Sequence, residues 1–448
     1  MHGDFSRDTF DATKHYSRVL MQQGRVQLDS DFNEQDAILW WRLRLLARDL
    51  IGRHAAATEL PDSFKVAAID ISGGGYASRD FSIAAGRYYV EGILCENDAR
   101  VQYTKQPSFP LATNDDAAAL LDGRTYLVYL DVWERQVTFI EDPLIRDVAL
   151  GGPDTCTRAR VVWQVRVSEL TTDQALNPAA TGEDLLDQFL LSAGLDSSKD
   201  PVLSVRSSPD THYRGAENRL YRVEIHQPGL ATDATSGRAG KATFKWSRDN
   251  GATIFPIDEI SGSEIRLSNF ALDKHPRLQA GDWVEVADQA YELRGRALPL
   301  VQVTQIQHGD RQVTLSHSVP DDVGREPALH SYVRRWNQRD GVDENGTLPV
   351  VAHVPEGWTQ VEDGVQIRFS DSGNYRTGDY WMIPTRTSTA DVEWPAERGG
   401  PRWITPHGIK HYYAPLATLK IDAAGAPEVL QSYRRRVMPL WVLQTAGA

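Results

Sequence analysis

Residues 126–133 indicate the fold class most clearly, and they read Tyr126-Leu127-Val128-Tyr129-Leu130-Asp131-Val132-Trp133. β-Branched and aromatic residues, which favour the pleated surface of a sheet, fill most of its positions. Arg160-Val161-Val162-Trp163-Gln164-Val165-Arg166-Val167 has the same character a short distance along the chain. Runs of this length and composition, bounded by turn-forming residues, predict buried strands.

Similar short apolar runs recur on both sides of these two segments, along most of the chain. They lie at residues 64–71, 87–94, 220–225, 242–246, 254–257, 281–286, 300–306, 311–315, 364–369, 380–383, 412–421 and 431–443. Asn250-Gly251 separates two of these runs, and this dipeptide favours a two-residue hairpin turn. The sequence therefore predicts a mainly β protein with sandwich-like or barrel-like domains, and it shows no repeat of solenoid length.

One long N-terminal α-helix is the exception, predicted over residues 31–51. Asp31 and Glu34 have the spacing of a capping box, and Gly52 provides the stop. The apolar face is too broad for one exposed surface, so it needs a covering partner. That partner is either the rest of the chain or another subunit. The candidate interface residues are Leu39, Trp41, Leu43, Leu46 and Leu50.

Changes in composition divide the chain into four segments. Residues 1–60 form a leader and helix, and residues 61–168 form a first β domain. Residues 169–215 are rich in Asn, Asp, Ser and Pro, which predicts a linker or insertion with a short helix over residues 183–193. Residues 216–448 form a second β region. Its closely spaced strands at 264–316 are consistent with a small barrel.

Length, charge and composition exclude several functional classes. The chain has 448 residues, enough for several domains, and no apolar run long enough to cross a bilayer. Its formal net charge of −13 disfavours nucleic acid as a partner. The N-terminus lacks a basic start followed by an apolar stretch, so we expect synthesis in the cytoplasm without a signal peptide. Membrane insertion is not expected.

No local motif indicates catalysis, a cofactor or a metal. The common hydrolase, nucleotide-binding and zinc motifs are missing from the sequence. Asp29, Asp31 and Asn33 open like a calcium loop, but Glu34 occupies the position where that loop needs glycine. His407 and His411 are the best candidates for metal ligands. A purely structural role for both histidines is the simpler interpretation. We therefore expect no catalytic, metal or cofactor site, while paired catalytic carboxylates stay open as an alternative.

Aromatic residues alternate with arginines in the C-terminal third of the chain. This combination is typical of sugar-stacking platforms, of protein interfaces and of ordinary strands with buried aromatic rings. The candidate ligand-stacking residues are Trp336, Trp358, Tyr380, Trp381 and Trp394. Carbohydrate is therefore one candidate partner, beside other protein subunits and further copies of the chain.

Longer motifs carry a family resemblance. They include residues 15–29 (HYSRVLMQQGRVQLD), 151–155 (GGPDT), 244–251 (FKWSRDNG), 375–381 (YRTGDYW) and 411–416 (HYYAPL). These motifs resemble a bacterial family of unknown function whose members are often encoded near phage-tail-like contractile injection systems. The resemblance implies a non-enzymatic structural or interaction component of such a particle, either cytoplasmic or released. A carried effector, or a protein that binds or acts on carbohydrate, is the alternative.

Overall fold

A computed structural model describes residues 1–70, 76–110, 120–150, 154–171, 174, 179–268, 278–354 and 357–438. Strands dominate it, so the prediction of a mainly β protein is confirmed. In chain order the strands are β1 (His54–Ala56), β2 (Val66–Asp70), β3 (Tyr76–Ile83), β4 (Gly86–Val90), β5 (Ile93–Asn97), β6 (Val101–Gln102), β7 (Lys105–Gln106), β8 (Phe109–Pro110), β9 (Thr125–Val137), β10 (Arg158–Glu169), β11 (Leu203–Ser207), β12 (Leu220–Ile225), β13 (Thr232–Asp233), β14 (Thr243–Ser247), β15 (Ile254–Ser261), β16 (Glu264–Leu267), β17 (Trp283–Ala287), β18 (Val301–Gln307), β19 (Gln312–Leu315), β20 (Tyr332–Trp336), β21 (Leu348–Pro349), β22 (Val351–Ala352), β23 (Thr359–Gln360), β24 (Val365–Phe369), β25 (Tyr380–Arg386), β26 (Asp391–Val392), β27 (Ala396–Glu397), β28 (Gly400–Pro401), β29 (Tyr412–Ile421) and β30 (Pro427–Ser432).

The helices are α1 (Asp29–Ile51), α2 (Gly182–Ser192) and α3 (Gln289–Leu293). The long N-terminal helix is therefore present but is not the only α-helix. It also begins two residues earlier than the sequence predicts. Asp31 lies inside the first turn, where its carboxylate accepts a hydrogen bond from the Leu28 amide at 3.2 Å. Short 3₁₀ turns lie at Ala12–Lys14, Pro143–Ile145, Val148–Leu150, Ser197–Lys199 and Pro327–Leu329.

The first β unit is built on a four-stranded sheet in the order β10, β9, β29, β30. β9 pairs antiparallel with β10 along its whole length, and Val132 of β9 lies opposite Tyr412 of β29. The predicted segment 216–448 thus does not pack as one region, because β29 and β30 complete the sheet of the first β unit. The strand predicted at 431–443 is misplaced, since β30 ends at Ser432 and residues 439–448 lie outside the described part.

The predicted strand at 87–94 is two strands joined by a tight turn. β4 and β5 pair antiparallel around Glu91-Gly92, and both turn residues have positive φ, of 48° and 80°. Glycine accepts such a conformation without steric cost. A Cβ at Gly92 would overlap the backbone carbonyl of Arg44 in α1. This turn therefore sets how closely α1 approaches the first β unit.

Two sheets form a sandwich in the middle of the chain. One has the order β21, β14, β12, β25, β26, and the other has the order β11, β24, β22, β13. Their facing side chains form one apolar core that includes Val223, Phe244, Ile367, Phe369 and Trp381, all almost fully buried. The alternation of buried and outward residues along β25 follows from the two-residue period of a strand.

A closed six-stranded barrel in the order β15, β16, β19, β18, β17, β20 interrupts the sandwich in sequence. Four of its strands fall within the predicted range 264–316, while β15 and β20 lie outside it and close the ring. The hairpin predicted at Asn250-Gly251 is wrong. Both residues have positive φ, as the turn requires, but β14 pairs with β12 and β21 whereas β15 joins the barrel. The turn therefore connects the two units.

The segment 169–215 contains the short helix that the sequence predicts. Thr181 caps α2, because its hydroxyl accepts from the Asp184 amide at 3.1 Å. Leu185 and Leu186 of this helix are buried against Leu127 and Tyr129 of β9. The α2 part of the segment thus covers the outer face of the first sheet.

Candidate functional site

Helix α1 packs on the first β unit through one narrow face. Ser30 and Ile38 are the buried residues of this helix. Arg44 pairs with Glu134 at 2.8 Å and Arg48 pairs with Glu91 at 3.2 Å, so two ion pairs fix the helix to β9 and to the β4–β5 turn. Such partly exposed pairs contribute modestly and mainly set the orientation.

The opposite face of α1 is apolar and open to solvent. Four of the five predicted interface residues lie there: Leu39, Leu43, Leu46 and Leu50 are 55%, 52%, 56% and 68% exposed. Phe32, at the start of the helix, is 55% exposed on the same face. Trp41 does not belong to this face, because it is half-buried near the ring of Phe10. We call Phe32, Leu39, Leu43, Leu46 and Leu50 the leucine seam.

The spacing of the leucine seam matches that of a coiled coil. With Asp36 included, its positions are alternately four and three residues apart from Phe32 to Leu50. Side chains at this spacing interlock with those of a second helix as knobs in holes. Asp36 lies at the one polar position of this spacing, and a polar residue at such a position restricts register at a cost in stability. The seam therefore has the spacing of a coiled-coil face.

The N-terminal leader runs beside α1 and adds exposed apolar side chains. Hydrogen bonds from the Ser6 amide to Asp29 at 2.8 Å and from the Val19 amide to Gln35 at 2.8 Å hold it in place. Its most exposed apolar residues are Tyr16, Leu20, Met21, Val26 and Leu28. Leader and helix together thus hold about half of the exposed large apolar side chains of the described residues.

A second candidate is a cavity of about 290 Å³ where the first β unit, the sandwich and the barrel meet. Trp133 of β9, Arg222 of β12 and Tyr291 of α3 line it. Met1 and His2 also reach into it, and the Met1 amine contacts the Tyr380 hydroxyl. Junctions between units are common places for ligand sites, so the chemistry of the lining decides what this cavity can do.

The cavity wall contains a buried network of charges. Glu224 lies 2.5 Å from Arg222 Nε and 3.3 Å from Lys245 Nζ. Lys245 Nζ also lies 2.7 Å from Glu285, which accepts further hydrogen bonds from Tyr291 at 3.0 Å and from the Trp336 indole at 3.1 Å. Each carboxylate thus has a cation and additional donors, as buried charges require.

These contacts set the protonation states. Burial alone would raise the pKa of Glu224 and Glu285, but Arg222 and Lys245 beside the first, and Lys245 beside the second, hold both pKa values below their usual range. Burial lowers the pKa of His226 and of His407 to about 4. At neutral pH the two carboxylates are therefore ionised and the two histidines neutral. Neither carboxylate is poised as a general acid.

Nearly the whole chain matches one protein-family model. The model of a family of unknown function (DUF6519) matches residues 1–187 and 188–429. The chain belongs to this family. Neither the curated proteins nor the solved structures contain a match to it. DUF6519 membership thus confirms the resemblance to a family of unknown function.

The five predicted ligand-stacking residues do not form one surface in this DUF6519 chain. Trp336 and Trp381 are buried in the protein interior, at 1% and 0% exposure, so they do not offer a ring to an external ligand. Tyr380 lies in the cavity wall, with the Arg222 guanidinium 3.6 Å from its ring centroid. Trp358 and Trp394 are half-buried near the surface. Trp381 belongs to the sandwich core, and Trp336 lies in β20, whose five residues are all buried; composition alone could not show this.

The candidate metal residues have structural partners. His411 Nδ1 lies 2.6 Å from Asp131, and its ring stacks on Trp133 with centroids 4.7 Å apart. His407 Nδ1 accepts from the Met382 amide at 3.0 Å. Among the described residues, no three His, Cys, Asp or Glu side chains converge on a common point as metal ligands. In the same residues, no helix combines the length and apolarity needed to cross a membrane.

Proposed function

We propose that this protein is a non-enzymatic assembly component that docks on another helix-bearing subunit through the leucine seam of α1. The observation that carries the proposal is the exposure of that seam on the face directly away from the body of the chain. The family resemblance extends the proposal to a phage-tail-like contractile injection particle, in which this chain is a baseplate, tube or surface accessory.

The seam offers enough apolar area for a reversible association. Burying a whole Leu or Phe side chain contributes roughly 1.5–3 kcal/mol, and these side chains still expose about half of their surface. Two copies of the seam therefore gain about 10 kcal/mol from apolar burial. Association itself costs roughly 4–15 kcal/mol, so the seam sustains a complex only with a well-fitted partner.

A second copy of the chain is the simplest partner to test. Changing Leu43 and Leu46 to Gln removes two adjacent layers of the seam while keeping good helix formers. Sedimentation velocity over a range of concentrations should show that the wild type associates and the double variant does not. Leu191→Gln is the matched control, because Leu191 is 53% exposed on α2 and lies far from the seam in sequence.

Thermal unfolding distinguishes a role of the leucine seam in assembly from a role in packing within the monomer. The double variant should melt within a few degrees of the wild-type monomer, because half-exposed leucines contribute little to the fold. A wild type that stays monomeric at high concentration, and that does not co-sediment with tail-like particles of its host, would refute the assembly role. Co-sedimentation that the double variant retains would show that another surface docks.

A further inference from the structure

Two arginines and two tryptophans form an alternating stack on one face of the sandwich. Arg206 of β11 lies opposite Gln366 of β24, so it shares a face with Arg368, two residues along. Trp358 directly precedes β23, which pairs with β24 on its other side. Trp403 directly precedes Ile404, whose amide donates to the carbonyl of Leu203 at 2.9 Å. Sheet pairing therefore brings together four side chains that are far apart in sequence.

The order of the stack is Arg206, Trp358, Arg368, Trp403. The Arg206 guanidinium carbon lies 4.3 Å from the Trp358 ring centroid, and that of Arg368 lies 4.9 Å from it on the same ring. Arg368 is also 4.6 Å from the Trp403 ring centroid. At these distances the indole rings attract the cations, which restrains both guanidinium groups. We call this set the Arg–Trp stack.

The two guanidinium groups of the Arg–Trp stack lack carboxylate partners in the described part of the chain. Within the described ranges, Arg206 donates to the side-chain oxygen of Gln366 at 2.7 Å, and Arg368 Nε is buried there without a hydrogen-bond partner. Arginines nearby behave differently, since Arg376 pairs with Asp200 at 2.9 Å. Burial and the neighbouring Arg368 lower the pKa of Arg206, and Asp210 offsets this only in part. Among the described residues, the stack thus carries two positive charges without a direct ion pair, in a chain whose net charge is −13.

We propose that the Arg–Trp stack binds an anionic glycan. Carboxylate or sulfate groups accept hydrogen bonds from Arg206 and Arg368, because a restrained guanidinium presents its donors in a fixed fork that fits such anions. A sugar ring lies on Trp403, which is 37% exposed at the end of the stack. The exposed indole favours a glycan over an acidic peptide, and the negative net charge disfavours nucleic acid. This binding activity is separate from docking through α1.

Immobilised polysaccharides test the proposal on the full-length chain. Dextran and dextran sulfate share one backbone and differ in charge, while alginate supplies carboxylates in place of sulfates. We expect binding to dextran sulfate, alginate or both, and none to dextran. The two charged polymers distinguish sulfate from carboxylate recognition. Binding should weaken as salt rises, because the contacts are charged.

Three variants assign the binding to the Arg–Trp stack. Arg206→Gln and Arg368→Gln should each weaken binding about tenfold, because each removes charge-assisted hydrogen bonds. Trp403→Ala should weaken it severalfold. Arg402→Gln is the matched control, because Arg402 is exposed, neighbours Trp403 in sequence and pairs with Glu397 at 3.4 Å. It should bind like the wild type.

Several results would overturn the proposal. The first is that the protein binds neither charged polysaccharide. The second is that Arg402→Gln weakens binding as much as the variants of the stack do. The third is that both arginine variants bind as tightly as the wild type. Binding of poly-glutamate that is as tight as that of the polysaccharides, and indifferent to Trp403→Ala, would assign the stack to acidic peptides instead. If Arg368→Gln lowers the melting temperature, Arg206→Gln and Trp403→Ala decide the outcome, because both lie at the ends of the stack.

Discussion

Replacing Lys245 by Met tests whether the buried network at the cavity holds the sandwich and the barrel together. Lys245 belongs to β14 of the sandwich and Glu285 to β17 of the barrel, and both side chains are more than nine-tenths buried. Met keeps most of the volume of the lysine stem but removes its ammonium group. Glu285 then keeps only neutral donors, and Glu224 keeps Arg222.

The expected loss of stability is about 3–5 kcal/mol at pH 7, the usual cost of leaving a buried charge without its partner. Urea unfolding followed by tryptophan fluorescence measures it. Lys65→Met is the matched control, because Lys65 and its partner Asp62 are about half exposed and 3.3 Å apart. That variant should change the free energy of unfolding by less than about 1 kcal/mol.

The pH dependence gives a second readout. The pKa values of Glu224 and Glu285 lie below their ordinary 4.5 in the folded wild type. Their ionised forms therefore stabilise the fold above that pH, and this contribution is lost as pH falls through the folded pKa values. In Lys245→Met the Glu285 carboxylate should become easier to protonate, so the difference from wild type should shrink on acidification. Equal losses for Lys245→Met and Lys65→Met at pH 7 would refute the reasoning.

Two further predictions concern the backbone and a buried acid. Gly92→Ala should destabilise the protein more than Gly123→Ala: both glycines have positive φ, costing about 1–2 kcal/mol, but only the Gly92 Cβ meets α1. Thermal unfolding compares the two variants. Equal losses of melting temperature would show that α1 moves away from the turn at little cost. Burial raises the pKa of Asp379 from 3.8 to about 7, so its neutral form stabilises the fold at low pH and that stability is lost as pH rises through this range. Asp379→Asn should therefore raise the melting temperature at pH 8 and not at pH 4, whereas an equal change at both would contradict this.

Local sequence patterns identified the elements that depend on near neighbours. The composition of residues 126–133 predicted β9, and the apolar spacing from Leu39 to Leu50 predicted a helix face that the structure shows exposed. Both signals depend on a repeat within a few residues, which the chain encodes directly. The four-and-three spacing of the leucine seam was also readable from sequence, although whether the body of the chain would cover it was not.

Tertiary structure alone decided which distant residues meet. Sheet pairing sets Asp131 beside His411, 280 positions away, and it assembles Arg206, Arg368 and Trp403 from three separate segments. Trp336 is buried beside Lys245 at the charge network, whereas Trp358 takes part in the Arg–Trp stack. Closing loops of hundreds of residues depends on the packing of whole sheets, and no local period records it.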